Sequence, residues 1–146
     1  MVMNINKSLE ELENRKWNTP PVNSSPSVMR CVELRKQKLR DYSADDIRFM
    51  IASNIGLRYL IPHAISKIST NILLNAGYYE GDLLKSILTS DPAFWQKNTP
   101  MLRRMSALLI EKKSKIESQP DDDFNIKSTL LSLCVSFLEQ SVSYSY

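Results

Sequence analysis

Apolar residues recur at helical spacing in successive segments of the chain. In the central part, Met50 and Ile51 follow Ile47 by three and four residues, which is the spacing of one face of an amphipathic helix. Later segments repeat this spacing, and none approaches the roughly 20 apolar residues of a membrane span. The pattern predicts an all-α fold, a compact single-domain bundle of about seven short to medium helices over residues 1–146.

Residues that begin and end helices flank the central segments. Ser43 is followed three residues later by Asp46, which resembles a capping box and places a helix start at Ser43. Asn54 and Gly56 favour the left-handed backbone conformation and should end that helix. Asp91 directly precedes a proline, which predicts the start of a further short helix.

Pro62 limits where the second central helix can start. A proline deep in a helix removes a backbone hydrogen bond, so we expect Pro62 in the first turn. Residues 56–60 should then form a turn or a strained entry into the helix. The apolar face of this helix consists of Ile61, Ala64, Ile65, Ile68 and Ile72.

A turn separates this helix from a third one. Asn75, Ala76 and Gly77 break the helical pattern, and Asp82 should stand at the start of the third helix. Its buried face should consist of Leu83, Leu84, Ile87 and Leu88.

The ends of the chain complete the predicted organisation. Ser8 should cap the first helix, and Trp17 should pin an extended arm to the main body. The inner face of the next helix should carry Val28, Cys31, Val32 and the stem of Arg35. The predicted parts are a short helix at 7–16, a proline-rich arm at 17–26, a helical core at 27–117 with a long last helix at 99–117, a linker at 118–123 and a C-terminal helix at 124–142.

The C-terminal segment is compatible with two secondary structures. Between Leu131 and Phe137, apolar and polar residues alternate, which also suits a strand. A helix is favoured because a lone strand would have no partner. We expect Asp121, Asp122 and Asp123 to cap this helix, since adjacent carboxylates rarely converge on a metal ion. The helical face would consist of Leu130, Leu131, Cys134, Val135, Phe137, Leu138 and Val142.

Composition favours a globular protein without reactive chemistry. One histidine, His63, and two distant cysteines, Cys31 and Cys134, are too few for a structural zinc site. The three glycines leave no phosphate-binding loop of a known type. We predict no catalytic, cofactor-binding or metal-binding residue and no enzyme activity. The N-terminus shows no signal-peptide pattern, so we expect a cytoplasmic protein with free, buried thiols.

Nucleic-acid binding is the main competing interpretation. The helix at 43–53, the turn at Gly56 and the helix after it have helix-turn-helix spacing, but Leu60, Ile61 and Pro62 stand where base-reading side chains should be. A basic cluster could bind phosphate, yet no aromatic residue is interleaved for base stacking, which favours a solvated helix end. We therefore expect neither a nucleic-acid nor a membrane partner. The cluster consists of Arg30, Arg35, Lys36, Lys38 and Arg40.

Several short runs follow one another in a definite order and spacing. They are Ser8 to Glu13, Trp17, Pro20-Pro21, Leu34-Arg35, Asp45 to Arg48, Asn54 to Leu57, Tyr59 to Pro62, Tyr79, Gly81 to Leu84, and Trp95. Together these runs resemble the immunity proteins of bacterial contact-dependent growth inhibition (CDI) systems. The resemblance extends over roughly residues 8–105 and does not reach the tail.

The resemblance implies an inhibitor. In the cytoplasm, such a protein would bind the C-terminal toxin domain of a CDI effector, as a one-to-one complex, and block its active site or substrate groove. The toxin is expected to be a nuclease, with a ribonuclease as the first choice. Because nuclease clefts are cationic, exposed carboxylates near aromatic residues are candidate toxin contacts. These are Asp45, Asp46, Tyr78, Tyr79, Glu80 and Asp82.

Other interpretations stay open at this point. The six candidate residues could instead cap helices and pack loops. A helix-turn-helix-like nucleic-acid-binding regulator and a general helical adaptor are the alternative functions. Neither the oligomeric state of the free protein nor the identity of the toxin follows from the sequence.

Overall fold

The computed structural model describes residues 4–120 and 122–144, with side chains through residue 142. Within these residues the chain forms eight α-helices, one short 3-10 helix and no strand. The predicted all-α fold is therefore confirmed, with eight helices in place of about seven. They are α1 (Leu9–Glu13), α2 (Pro26–Lys36), α3 (Ala44–Ala52), α4 (Leu57–Ile68), α5 (Asp82–Leu88), α6 (Pro92–Lys97), α7 (Thr99–Glu117) and α8 (Ile126–Tyr144), with the 3-10 helix at Leu39–Asp41.

The helices pack around one core. α3 lies against α4 and α5, α5 also lies against α8, and α8 lies along α7. Trp95 on α6 is the largest fully buried side chain, and its ring makes edge contacts with Phe94 and Phe137 at centroid distances of 5.0 and 4.9 Å. Such aromatic pairs add about 0.5–1.5 kcal/mol each beyond their burial. The tail helix α8 is thus part of the core.

The predicted helix caps are present. The Ser43 side chain accepts from the Asp46 N–H and the Asp46 carboxylate accepts from the Ser43 N–H, which completes the capping box. Asp91 caps α6, with its carboxylate 3.0 Å from the Ala93 nitrogen. Asp122 caps α8, whereas Asp121 lies outside the described residues. The segment that also suited a strand is helical throughout.

The predicted position of Pro62 is wrong. α4 already begins at Leu57, so Pro62 lies inside the helix, in its second turn. Gly56, in the left-handed conformation with φ 65°, lets the chain enter α4 directly after α3. Leu57 and Leu60 are buried by this early start. The burial of two leucines, at about 1.5–3 kcal/mol each, can offset the hydrogen bond that the proline removes.

The inner face of α2 also differs from the prediction. Val28 is 44% exposed, and Leu34 is buried together with Cys31 and Val32. Arg35 is only 2% exposed, although arginines rarely lie in cores. The face is therefore rotated toward Leu34 and Arg35.

Arg35 explains how the N-terminal part is held. Its guanidinium pairs with the Glu13 carboxylate, donates to the Arg15 carbonyl oxygen at 2.8 Å and lies 4.5 Å from the centre of the Trp17 ring. α1 ends at Glu13, earlier than the predicted residue 16, because Asn14 adopts the left-handed conformation. One buried cation thus pins both α1 and the start of the arm to α2.

We predict that Gly56→Ala destabilises the fold by about 1–3 kcal/mol, because alanine disfavours a positive φ. Its Cβ would also lie 2.7 Å from Cδ1 of the buried Leu9. Urea unfolding measures the loss. Gly56→Asn separates the two causes, since asparagine tolerates the left-handed conformation but keeps the contact with Leu9. An unchanged unfolding midpoint for Gly56→Ala would contradict the strain.

Candidate functional site

The candidate toxin contacts lie on two segments that the fold brings together. Asp45 and Asp46 are in the first turn of α3, and the others lie between residues 78 and 82, at the entry to α5. The turn at Gly77 lies against α3, because a Cβ placed on Gly77 would be 3.3 Å from Oδ1 of Asp45. Asn75 and Glu80 form an isolated antiparallel bridge that closes the 75–80 loop. The fold thus places the two segments side by side.

Arginine side chains compensate the carboxylates of α3. Arg30 donates to Asp45 at 2.9 Å and to Asp46 at 3.0 Å, and Arg48 pairs with Asp45 at 2.9 Å. The same two arginines lie over aromatic rings, Arg30 over Phe49 at 4.3 Å and Arg48 over Tyr78 at 4.5 Å. Asp45 and Asp46 therefore belong to a network of ion pairs and do not present free negative charge.

The ion pairs shift the pKa of Asp45. Partial burial by itself would raise this pKa, but the hydrogen bonds and charges of Arg30 and Arg48 outweigh it and hold the pKa below its usual value. A carboxyl group with a lowered pKa in the folded state contributes stability that is present above its unfolded pKa, about 3.9. That contribution is lost as the pH falls through the lower, folded-state pKa.

Asp45→Asn should therefore reduce the unfolding free energy at neutral pH. In acid, the variant and the wild type should approach the same unfolding free energy. We expect a constant difference from wild type between about pH 7 and pH 5, which shrinks below about pH 4. Urea unfolding at several pH values measures it. Asp41→Asn is the matched control, because Asp41 is exposed and its nearest cation is 4.0 Å away. A difference from wild type that is as large at pH 3 as at pH 7 would contradict the assignment.

Three of the candidates are accessible. Tyr78 is 71% exposed, Glu80 is exposed and Tyr79 is half-buried. Among the described residues, the Glu80 side chain makes no hydrogen bond or ion pair. The loop thus presents an uncompensated carboxylate directly after two tyrosines.

Asp82 does not belong to this accessible set. It is only 4% exposed, and its two carboxylate oxygens accept from the backbone N–H groups of Ala76, at 2.7 Å, and Tyr78, at 3.0 Å. The expected exposure of the Asp82 carboxylate was therefore wrong. Its carboxylate points into the loop and fixes the conformation in which Tyr78 is presented.

We predict that Asp82→Ala destabilises the protein by about 1–3 kcal/mol, because it leaves the buried Ala76 N–H and the part-buried Tyr78 N–H without an acceptor. Glu80→Ala removes a neighbouring, exposed carboxylate and should change the stability by at most about 0.5 kcal/mol. Urea unfolding of the two variants side by side tests the difference. Equal effects would show that the buried carboxylate does not hold the loop.

Two clefts adjoin the loop, and the sequence reasoning missed them. One, of about 250 Å³, lies between Leu73, Glu80 and the segment that enters α8. The other, of about 440 Å³, lies beside Tyr78 and Tyr79. Phe124 lines both clefts and is 85% exposed. Phe124 was predicted to lie in the C-terminal helix, but α8 begins only at Ile126, which frees this ring.

Three of the five residues in the basic cluster are already engaged within the chain. Arg30 and Arg35 are engaged in the ion pairs described above, and Arg40 donates to the Asn6 side chain at 3.1 Å. The helix-turn-helix spacing is present in α3 and α4, but the start of α4 buries Leu57 and Leu60 in the core. These features do not favour readout of nucleic-acid bases.

Burial shifts the pKa values of the two thiols and of the single histidine. Burial raises the pKa of the Cys134 thiol to about 11 and also raises that of Cys31, so both favour the protonated form. Burial and the charge of Lys67 lower the pKa of His63. Across residues 4–120 and 122–144, no group of histidine, cysteine and acidic residues could hold a metal ion. In the same part of the chain, no helix is long and apolar enough to cross a membrane.

The arrangement defines a helical domain with an exposed loop, an exposed aromatic ring and two surface clefts. The comparison with protein families matches residues 11–105 to the family of CDI immunity proteins. This match covers more than half of the chain, so the protein belongs to that family, and the resemblance seen in the sequence is confirmed. Comparisons with curated proteins and with solved structures gave no significant match.

Membership fixes the general role of the chain. Its role is immunity against toxins of contact-dependent growth inhibition, and its partner is a cognate toxin protein. The matched region ends in α7, so the rest of α7, Phe124 and α8 lie beyond it.

Proposed function

We propose that the protein binds the C-terminal toxin domain of its cognate CDI effector in the cytoplasm and covers the active site or substrate groove. The toxin would be a nuclease, and a ribonuclease is the first candidate. The single observation that carries the proposal is the family match over residues 11–105. The protein itself would catalyse nothing.

The fold supports inhibition by a rigid surface. Binding loses less free energy when the contact groups are already ordered in the free protein. The loop at 75–81 meets this condition, because Asp82 holds two of its N–H groups and Arg48 lies over Tyr78. The complex would need a Kd of about 1 nM or lower, since few free toxin molecules are needed to kill a cell. An interface of about 1,200–2,000 Å² is typical for such complexes.

The contact residues that we propose are Tyr78, Tyr79 and Glu80, with Asp45 and Asp46 at the edge. Glu80 is the strongest electrostatic candidate, because the two aspartates already pair with Arg30 and Arg48. A cationic nucleic-acid groove on the toxin would attract an uncompensated carboxylate. Exposed tyrosines beside it would supply apolar contact area at low entropic cost.

Co-expression with the toxin domain tests the function. The expected source of that domain is the end of a very large secreted protein, encoded directly upstream. Induction of the toxin domain alone should stop growth, and co-expression of this protein should restore it. The two should co-purify, with a one-to-one mass by light scattering. Continued growth arrest, or a failure to co-purify, would refute the proposal, and a toxin domain of another CDI effector serves as the specificity control.

Charge reversal tests the contact surface. We predict that Glu80→Lys weakens binding to the toxin domain at least about tenfold, or about 1.4 kcal/mol, because it replaces attraction by repulsion. Titration calorimetry measures the Kd. Glu33→Lys on α2 is the matched control, since this exposed residue undergoes the same change of charge and lines neither cleft beside the loop. Equal affinity of the two variants, with unchanged helicity, would remove the loop from the interface.

A further inference from the structure

The smaller cleft joins the matched region to the tail. Leu73 and Glu80 line it from the matched side, and Ile116, Phe124 and Leu130 line it from beyond residue 105. Its volume of about 250 Å³ is below the roughly 300–1,000 Å³ of typical small-molecule pockets. The cleft is therefore large enough for one long side chain of a partner.

Phe124 is presented to this cleft by an ordered turn. The Asp122 carboxylate accepts from the N–H groups of Ile126, at 2.9 Å, and Lys127, at 3.1 Å. The Asn125 N–H donates to the Asp122 carbonyl oxygen at 3.2 Å, and Asn125 itself is left-handed with φ 56°. The turn holds the Phe124 ring in solvent, where an apolar side chain gains nothing in the free protein. Exposed aromatic rings beside a pocket are typical of interface anchors.

The walls and the rim of the cleft differ in chemistry. Leu73, Ile116 and Leu130 provide apolar walls, and the carboxylates of Glu80 and Asp122 line the same cleft. Lys127 is the cation in this lining, and it is already engaged within the chain. The Glu80 carboxylate, by contrast, has no partner among the described residues. A ligand that suits these surroundings has an apolar stem and a positive end.

We propose that this cleft receives one lysine or arginine side chain of the toxin domain. Its methylene stem lies along Phe124 and the apolar walls, and its cation pairs with Glu80. Long cationic side chains bury their stems in this way while the charged end stays at the rim. This inference rests on the proposed function and adds to it the tail segment and the chemistry of the group that is recognised.

The location of the cleft favours a role in recognition of one particular toxin. Several of the residues that carry the family resemblance are buried in the molecule, as Trp95, Leu83 and Asp82 illustrate. They determine the fold, whereas Phe124 lies outside the matched region and is exposed. One wall of the pocket comes from the matched region and the other from the tail. The family fold would then hold the pocket in place, and the tail would determine which toxin fits it.

Affinity measurements on the full-length protein test the apolar part. We expect Phe124→Ala to weaken binding to the toxin domain about 30-fold, which is typical of an interface hot spot. Ile110→Ala on α7 is the matched control, since this side chain is 69% exposed and does not line the cleft. It should change the Kd less than about twofold. Unchanged circular dichroism and melting temperature would show that both variants fold normally.

The salt dependence of binding tests the charged part. Glu80→Gln should weaken binding and flatten the dependence of the Kd on salt, whereas Glu33→Gln should do neither. Lys→Ala and Arg→Ala substitutions across the toxin domain identify the cation that pairs with Glu80. We expect one of them to weaken binding to the wild-type protein more than it weakens binding to Glu80→Gln, so that the two losses of binding free energy are not additive.

The outcomes distinguish failure of the proposed immunity function from failure of the assignment of the cleft. If the wild-type protein binds the toxin domain and Phe124→Ala binds equally well, the cleft is not part of the interface, although the immunity function stands. If Phe124→Ala weakens binding but no toxin cation couples to Glu80, the assignment of a cationic side chain is overturned. If the wild-type protein does not bind at all, both the function and the inference fail.

Discussion

The burial of α5 is the constraint on which the rest of the structure depends. Six of its seven residues are buried, and only Lys85 is exposed. A helix that is buried nearly all round must satisfy its polar groups internally. Ser86 donates to the Leu83 carbonyl oxygen at 2.7 Å, and the Asp82 carboxylate accepts from two loop N–H groups. The loop conformation at the surface is therefore set by the hydrogen-bonding needs of a helix in the core.

Local sequence signals predicted the elements that depend only on neighbouring residues. The capping box at Ser43, the proline start after Asp91 and the left-handed residue at Gly56 all occur where the sequence indicates them. Each is satisfied by hydrogen bonds or steric limits within a few residues, so it can be read from spacing alone. The all-α fold followed from the apolar periodicity for the same reason.

The sequence predictions were wrong or incomplete at residues whose role is decided by distant partners. Pro62 is tolerated inside α4 because Leu57 and Leu60 reach the core. Arg35 is buried because Glu13, on another helix, supplies its counter-charge. Asp82 looks like a surface carboxylate at a helix start, and only the fold brings the Ala76 N–H within 2.7 Å of it. Tertiary contacts override local preference at these sites.

The same distinction explains why only part of the proposed contact surface could be predicted from the sequence. The loop was found because tyrosines beside carboxylates are visible as a run, whereas the cleft depends on α8 lying near a loop more than forty residues earlier. The net charge of +3 does not suggest an acidic inhibitor, and Arg30 and Arg48 compensate two of the candidate carboxylates. A broad negative field is therefore a poor explanation of toxin binding by this chain. One free carboxylate beside an exposed phenylalanine can still be selective, because the apolar stem and the charge of a partner side chain must both fit at once.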